Sequence, residues 1–360
     1  MDTIHRYGVS STQYLQVHYP NMQDWFLFIS AVADLRTTFL VFFPVWFHFQ
    51  AATGVKLVWV AVVGDWLNLV CKWVLFGERP YWWVQETFFY GNSTVPQIKQ
   101  FPMTCETGPG SPSGHAMGAA GVYHAMISSL ASIILKCNGN GRQSWCIKAV
   151  LWALFWCIQI SVCLSRVFIA AHFPHQVIAG VLAGVAVAKA FDRVIWIHGA
   201  RFRSYVQTTL LLIIVALGLY VLLDAAAVDP LWSLAKARKW CARPEWVRLE
   251  TTPFASLLRN TGTLFGLGLA LNLPLVDQAA TECGYVVRGV APFRLACAGA
   301  SLPLLHVLDS FRPQVHTQLL FYLLSFCKSA TMPLATIGVV PYCVDRAFSV
   351  VRTLSKHPRK

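Results

Sequence analysis

The sequence predicts an all-α polytopic membrane protein with about nine transmembrane helices, and three features of its composition support that class. Of its 360 residues, 56% are hydrophobic and only 12% are charged, whereas soluble domains carry about 25% charged residues. The mean hydropathy is +0.52. The 29 Lys and Arg outnumber the 16 Asp and Glu, but the basic residues lie between apolar segments. We therefore interpret the excess as a signal of membrane topology, not of nucleic-acid binding.

Nine apolar segments, separated by polar connections, predict the transmembrane helices. They lie at 25–48, 57–76, 114–135, 149–164, 169–188, 204–224, 251–272, 295–308 and 318–340. Most are long enough for the roughly 20 residues that a helix needs to cross a bilayer, and those at 149–164 and 295–308 are shorter. The first 24 residues are too polar for a secretory signal. We expect the first span to direct insertion and residues 1–360 to form a single integral membrane domain.

The distribution of basic residues predicts the sidedness of the chain. If the spans alternate, the connections on one side carry 15 Lys and Arg in 78 residues, and those on the other side carry 10 in 100. The positive-inside rule then places the C-terminus in the cytosol and the N-terminus on the opposite side. The sequon at Asn92 falls on the non-cytosolic side, so Asn92 is predicted to carry a glycan.

Eleven cysteines are spread through the chain without a CxxC pair, so neither a zinc site nor a disulfide scaffold is indicated. Cys105 and Cys241 both lie on the predicted non-cytosolic side. They could form a disulfide there, although nothing in the sequence requires it.

Three short polar stretches lie where the chain leaves or enters predicted spans. The first contains Lys72 and Arg79, which lie on one helical face about 10 Å apart and can converge on one anion. The second, residues 108–115, is rich in Gly and Pro and opens a span, so free backbone N–H groups can bind a phosphate at the helix N-terminus. The third covers residues 165–176 and contains one arginine and two histidines.

Alternation of the spans places all three stretches on the same side of the membrane. Three cations, backbone N–H donors and histidines suit phosphoryl transfer, because they neutralise the charge on the phosphoryl oxygens. One histidine can attack phosphorus, and another can protonate the leaving oxygen and then activate water. No cluster of acidic residues accompanies the stretches, so we expect no metal and no other cofactor.

The motifs K-x6-RP, PSGH and SR-x5-H resemble the signature of the phosphatidic-acid-phosphatase and vanadium-haloperoxidase superfamily, which implies the helical core of that superfamily. Nearly the whole chain resembles the glucose-6-phosphatase catalytic subunits, notably at residues 24–26, 59–66, 80–83, 105–110 and 324–329. This resemblance implies a single phosphatase domain in the endoplasmic reticulum membrane. It also implies hydrolysis of glucose 6-phosphate to glucose and phosphate at the luminal face, the last step of gluconeogenesis and glycogenolysis, through a phosphohistidine.

The same resemblance implies roles for seven residues. His172 is expected to be the nucleophile and His115 the proton donor and acceptor. The expected phosphate-binding residues are Lys72, Arg79, Ser113, Gly114 and Arg166. One departure is Gln176, which stands where the superfamily usually has an aspartate that orients the nucleophilic histidine, so the partner of His172 is left open. Because glucose 6-phosphate is a dianion that cannot cross a bilayer unaided, a glucose-6-phosphate transporter is the implied functional partner.

Several alternatives remain open at this level. A lipid phosphate phosphatase shares the motifs but usually has about six spans, and a haloperoxidase is not polytopic. A transporter or channel would fit the spans but would not need the PSGH motif. A low-activity regulatory paralogue of glucose-6-phosphatase would share the whole signature. Four polar residues lie within apolar segments, and we favour structural pairing over substrate contact for each: Asp34, Asp65, Arg259 and Asn260.

Overall fold

A computed structural model describes residues 1–91, 94–138, 141–273, 291–311 and 317–356. Most of these residues lie in helices, and none of them lies in a β-strand. Asn92, the predicted glycosylation site, lies outside the described residues. The main helices are α1 Asp2–His18, α2 Gln23–Val32, α3 Leu35–Phe49, α4 Ala51–Leu75, α5 Pro80–Glu86, α6 Gly114–Asn138, α7 Arg142–Phe168, α8 Pro174–Asp192, α9 Phe202–Ala225, α10 Trp232–Trp240, α11 Pro253–Asn272, α12 Ala291–Ser310, α13 Gln318–Leu334 and α14 Val340–Lys356.

The predicted class, an all-α polytopic membrane protein, is confirmed. Within the described ranges, seven helical segments are long and apolar enough to cross a bilayer, and the bent pair α2 and α3 makes an eighth if it is one span. The two predicted segments that looked short, 149–164 and 295–308, belong to helices of 27 and 20 residues. The remaining predicted span, 251–272, coincides with the 20-residue helix α11, which is not among those seven.

The first predicted span, 25–48, is not one continuous helix. Helices α2 and α3 meet at an angle of 55°, and Asp34 lies at the break. The Oδ1 atom of Asp34 accepts a hydrogen bond from the backbone N–H of Arg36 at 2.8 Å, which satisfies one of the unpaired donors at the start of α3. Asp34 is therefore held at a helix start, with its side chain 45% exposed.

The predicted span 169–188 starts five residues too early. Helix α8 begins at Pro174, since proline is well suited to the first position of a helix. Helix α7 ends at Phe168, and Ala170 has a φ of +57°, which turns the chain away from the helical path. His172 thus lies in a short turn between two helices and not inside a span.

Backbone packing divides the chain into two compact units, and the first contains all three polar stretches. This unit comprises Met1–Thr37, Val63–Val194 and Ile214–Leu257. Helix α6 packs closely on α8 because α8 places glycines against it. A Cβ on Gly180 would lie only 2.6 Å from the carbonyl oxygen of Ser113. This close packing holds the start of α6, and with it the second polar stretch, against the start of α8.

The second unit comprises Thr38–Val62, Ile195–Ile213 and Leu258–Lys360, and polar contacts join its helices. The Nε2 atom of His48 lies 3.0 Å from the Ser301 hydroxyl. Lys328 and Asp309 form an ion pair at 3.3 Å. Polar groups inside apolar helices are stabilised when they are paired in this way.

Candidate active site

Arg79 ties the first polar stretch to the other two. It precedes helix α5, and its side chain is fully buried. Its Nε donates to the carbonyl of Gly108 at 2.7 Å and its Nη2 donates to that of Pro109 at 3.2 Å. Its Nη1 donates to the carbonyl of Ala171 at 3.1 Å. The guanidinium is therefore fixed in orientation by backbone from both the second and the third stretch.

The N-terminus of helix α6 gathers three of the predicted phosphate-binding residues. Ser113 is buried, and its hydroxyl accepts a hydrogen bond from the N–H of Ala116 at 3.5 Å. The backbone N–H of Ser113 donates to the carbonyl of Gln176 at 3.1 Å. The Nζ atom of Lys72 lies 3.9 Å from the point that a Cβ on Gly114 would occupy. A lysine beside a helix N-terminus makes a favourable environment for an anion.

The nucleophile predicted from sequence, His172, is fully buried and held in one orientation. Its Nδ1 lies 2.8 Å from the carbonyl oxygen of Gly110, which can only accept, so Nδ1 carries the proton and Nε2 has the lone pair. That lone pair faces Nη1 of Arg79 at 3.3 Å. Burial, together with the positive charge of Arg79, lowers the pKa of His172 to about 3. The imidazole is therefore neutral near pH 7, as a nucleophile must be.

Gln176 contributes to this orientation indirectly. Its Oε1 accepts a hydrogen bond from the N–H of Phe173 at 3.1 Å, and its Nε2 donates to the carbonyl of Glu78 at 2.7 Å. These bonds fix the turn that carries His172. The partner that sequence reasoning left open is the main-chain carbonyl of Gly110, and a carbonyl from a distant loop leaves no signature in the residue types.

Arg166 lies in the last turn of helix α7 and is fully buried. Its Nη1 donates to the hydroxyl of Ser30 at 3.3 Å. Its Nη2 forms an ion pair with the carboxylate of Glu106. The same carboxylate pairs with Nη2 of Arg79 at 3.0 Å, so Glu106 joins the two buried guanidinium groups.

Glu106 is the main site residue that the sequence analysis did not assign. Its Oε1 lies 3.4 Å from Nδ1 of His115, and its Oε2 lies 3.6 Å from Nε2 of His172. Although burial opposes ionisation of this carboxyl, the positive charges of Arg166 and Arg79 hold its pKa well below the usual range. The available signal was an acidic residue two positions before the first glycine of the second stretch.

His115, in the first turn of α6, stands between two carboxylates. Its Nδ1 faces Glu106, and its Nε2 lies 3.7 Å from Oδ2 of Asp34. Asp34 reaches this position because it lies at the break between α2 and α3. The site therefore continues past His115 toward a partly exposed carboxylate.

The segment that carries Glu106 is covalently anchored. Cys105 and Cys241 form a disulfide, which the sequence had left open. On the other side of Glu106, the hydroxyl of Thr107 donates to the carbonyl of Thr251 at 2.9 Å. Glu106 thus projects from a backbone that is fixed on both sides.

The structure thus places four of the residues predicted from sequence around the Glu106 carboxylate, namely Arg79, His115, Arg166 and His172. The other three, Lys72, Ser113 and Gly114, lie together at the adjacent start of α6. Three buried or half-buried cations and two opposed histidines define the class, a membrane phosphatase, and residues 53–200 match the model of the PAP2 superfamily. Nearly the full chain is similar to curated relatives. It is 55% identical to glucose-6-phosphatase catalytic subunit 1 of Canis lupus familiaris, and the alignment covers 97% of each chain.

The corresponding protein of Mus musculus is 54% identical over 96% of each chain. Glucose-6-phosphatase 2 of Homo sapiens is 48% identical, over 96% of this chain and 97% of that relative. The chain therefore belongs to the glucose-6-phosphatase catalytic subunit family. No solved structure matches it significantly.

Proposed function

We propose that this protein hydrolyses glucose 6-phosphate to glucose and inorganic phosphate through a phosphohistidine on His172. The observation that carries the proposal is the position of the Glu106 carboxylate, an anion that contacts both arginines and lies within 3.6 Å of both histidines. A phosphoryl group at that position would have a nucleophilic nitrogen on one side and a proton donor on the other. The names of the relatives, which cover nearly the whole chain, supply the substrate.

In the first step, Nε2 of His172 attacks phosphorus while the bond to the sugar oxygen breaks. Arg79, Arg166 and Lys72 neutralise the phosphoryl oxygens, and the N–H groups at the start of α6 add donors. His115 gives its proton to the sugar oxygen as that oxygen leaves. Its Nδ1, which lies 3.4 Å from Oε1 of Glu106, faces the position proposed for the phosphoryl group, and its Nε2 faces Asp34.

In the second step, the now neutral His115 takes a proton from water, and the resulting hydroxide attacks the phosphohistidine. The P–N bond breaks, and the electron pair returns to Nε2 of His172. Inorganic phosphate leaves, and His115 again holds a proton. The carbonyl of Gly110 holds the ring in place through both steps, because it accepts the Nδ1 proton throughout.

Purified protein tests this proposal directly. Wild-type protein should release phosphate from glucose 6-phosphate and, when quenched during turnover, carry acid-labile phosphate on His172. The variant His172→Ala should lose both properties while retaining its folded state in a thermal-unfolding assay. Label on another residue, or full activity in His172→Ala, would refute the nucleophile. A lipid phosphate that is hydrolysed in preference to glucose 6-phosphate would instead favour the lipid phosphate phosphatase.

A luminal active site in the endoplasmic reticulum membrane, with the N-terminus luminal and the C-terminus cytosolic, is part of the proposal. The disulfide between Cys105 and Cys241 supports it, because structural disulfides persist on the oxidising side of a membrane. Activity in sealed vesicles should then depend on a glucose-6-phosphate transporter, and detergent should remove that dependence. A glycan should be lost in Asn92→Gln. Equal rates in intact and permeabilised vesicles without a transporter would mean that the active site faces the cytosol.

The regulatory alternative is a paralogue with low turnover. The relatives at 55% and 48% identity are both named as glucose-6-phosphatases, which supports hydrolysis by this chain. The turnover number of the purified protein separates the two. A value far below the usual range of about 1–10³ s⁻¹ would favour the regulatory paralogue.

A further inference from the structure

The Glu106 carboxylate occupies the position that a bound phosphate needs. It pairs with Nη2 of Arg79 and with Nη2 of Arg166, and it lies close to the facing nitrogens of His115 and His172. The side chains of both arginines have no exposed surface, whereas that of Glu106 is 18% exposed. An anion that pairs with Nη2 of both arginines must therefore take the place of the carboxylate.

The energetic reason for an internal anion lies in the burial of the cations. Two guanidinium groups without a counter-ion in a water-excluded site are strongly destabilising, because desolvation is not offset by any attraction. The Glu106 carboxylate supplies one negative charge and pairs with Nη2 of both arginines. The positive charges of Arg166 and Arg79 in turn keep the pKa of Glu106 well below its usual range despite its burial, so the carboxylate stays ionised at neutral pH.

The backbone at Glu106 stays in place when its side chain moves. Its N–H donates to the carbonyl of Thr104 at 2.9 Å, and its own carbonyl accepts from the Tyr81 hydroxyl at 3.2 Å. The preceding residue, Cys105, is in the disulfide with Cys241. Exchange of carboxylate for phosphate thus requires rotation of one side chain and no movement of the loop.

We propose that Glu106 is an internal ligand of the phosphate site, which orients Arg79 and Arg166 in the empty enzyme and is displaced when a phosphate binds. Glu106 is thus a positioning residue that also competes with the substrate. The apparent affinity for any phosphate-like anion is lowered by the fraction of molecules in which the carboxylate occupies the site. The inference rests on the proposed phosphatase function, because it takes the arginines to be the phosphate ligands.

The test measures anion binding without turnover. Thermal unfolding of purified wild-type protein and of Glu106→Gln is followed across a titration with orthovanadate and another with inorganic phosphate. Without anion, Glu106→Gln should unfold at a lower temperature than wild type, because its cations have lost their counter-ion. With anion, the unfolding temperature of Glu106→Gln should rise by more than that of wild type. Its dissociation constant for the anion should be about tenfold or more below that of wild type, since the competing charge-assisted hydrogen bonds are absent.

Two further variants make the result specific. Glu106→Asp keeps the charge but shortens the side chain by one methylene, so it should also bind vanadate more tightly, by a smaller factor. Glu86→Gln removes another paired carboxylate, one that contacts Lys236 at 3.0 Å outside the site, and its affinity for vanadate should equal that of wild type. If Glu106→Gln does not fold, the Glu106→Asp titration decides alone.

Vanadate affinity that is unchanged or weaker in both Glu106 variants would overturn the proposal, because the carboxylate would then support the bound anion and not compete with it. This outcome is distinct from a failure of the proposed function. Glucose 6-phosphate hydrolysis by the wild type is measured separately, and it holds or fails whatever the anion titrations give.

Discussion

Gly110→Ala should disable the proposed nucleophile, His172, by moving its orienting carbonyl. A Cβ on Gly110 would overlap the carbonyl oxygen of Glu78 and lie 2.9 Å from Nε2 of Gln176. Neither neighbour can move freely, since Gln176 Nε2 donates to that same Glu78 carbonyl at 2.7 Å. The 108–115 loop must therefore shift by about 1 Å to reach an ordinary non-bonded distance. A shift of that size stretches the 2.8 Å bond between His172 and Gly110 beyond hydrogen-bond range.

The expected effect is mainly on turnover. A misplacement of about 1 Å at a reacting group costs about 10²-fold in rate, which corresponds to about 2.7 kcal/mol in the activation free energy. Overpacking should also lower the free energy of unfolding by about 1–3 kcal/mol. The assay is the turnover number and KM for glucose 6-phosphate in detergent, with thermal unfolding measured on the same preparation.

Gly218→Ala is the matched control. Gly218 lies in helix α9, where a Cβ would meet no heavy atom of the described residues within 4 Å. Alanine there should leave turnover unchanged and stability equal or slightly higher, because alanine favours a helix over glycine by about 1 kcal/mol. A turnover number of Gly110→Ala within about threefold of that of Gly218→Ala would mean that the carbonyl of Gly110 does not position His172. The proposed orientation of His172 by the main chain would then be wrong.

Three other changes give separate readouts. His115→Ala should lose more activity on glucose 6-phosphate than on an aryl phosphate, because a good leaving group needs less protonation; equal losses would count against the acid role. Asp34→Asn should lower kcat/KM for glucose 6-phosphate by about tenfold and spare an aryl phosphate, since a partly exposed carboxylate beyond His115 is placed to accept sugar hydroxyls; equal losses would mean that Asp34 acts through His115. Cys241→Ser should lower the free energy of unfolding by about 2–5 kcal/mol, and the stability of this variant should no longer depend on reductant. A variant as stable as oxidised wild type would show that Cys105 needs no covalent anchor.

The motif geometry could be predicted because it follows from topology. Connections on the same side of the membrane lie close together in space. The sequence was therefore sufficient to predict that one site contains Lys72, Arg79, Arg166 and the start of α6. Helix boundaries were less secure where polar function interrupts an apolar segment. The predicted span 169–188 ran through the turn that carries His172, since its alanines and phenylalanines have the same hydropathy in a turn as in a helix.

Other features depend on contacts that residue types do not encode. The 17-residue helix α1 was missed because the first 24 residues are polar, and a polar segment carries no span signal. Its His5 stacks on Phe173 with ring centroids 4.3 Å apart, so the missed helix supports the turn next to His172. The role of Glu106 was missed for the opposite reason: a single carboxylate in a loop has many ordinary uses until its position among the arginines is known.

Gln176, at the position where the resembled superfamily usually has an aspartate, bears on the chemistry of the proposed nucleophile His172 as well as on its support. An aspartate on Nδ1 would stabilise a positively charged imidazole, whereas the neutral carbonyl of Gly110 orients the ring without adding negative charge. Burial and the positive charge of Arg79 lower the pKa of His172 to about 3. A less basic imidazole is a weaker nucleophile in the first step but a better leaving group in the second. On the proposed mechanism, the arginines therefore have to activate phosphorus strongly for attack, and the proposed phosphohistidine is easier for water to cleave.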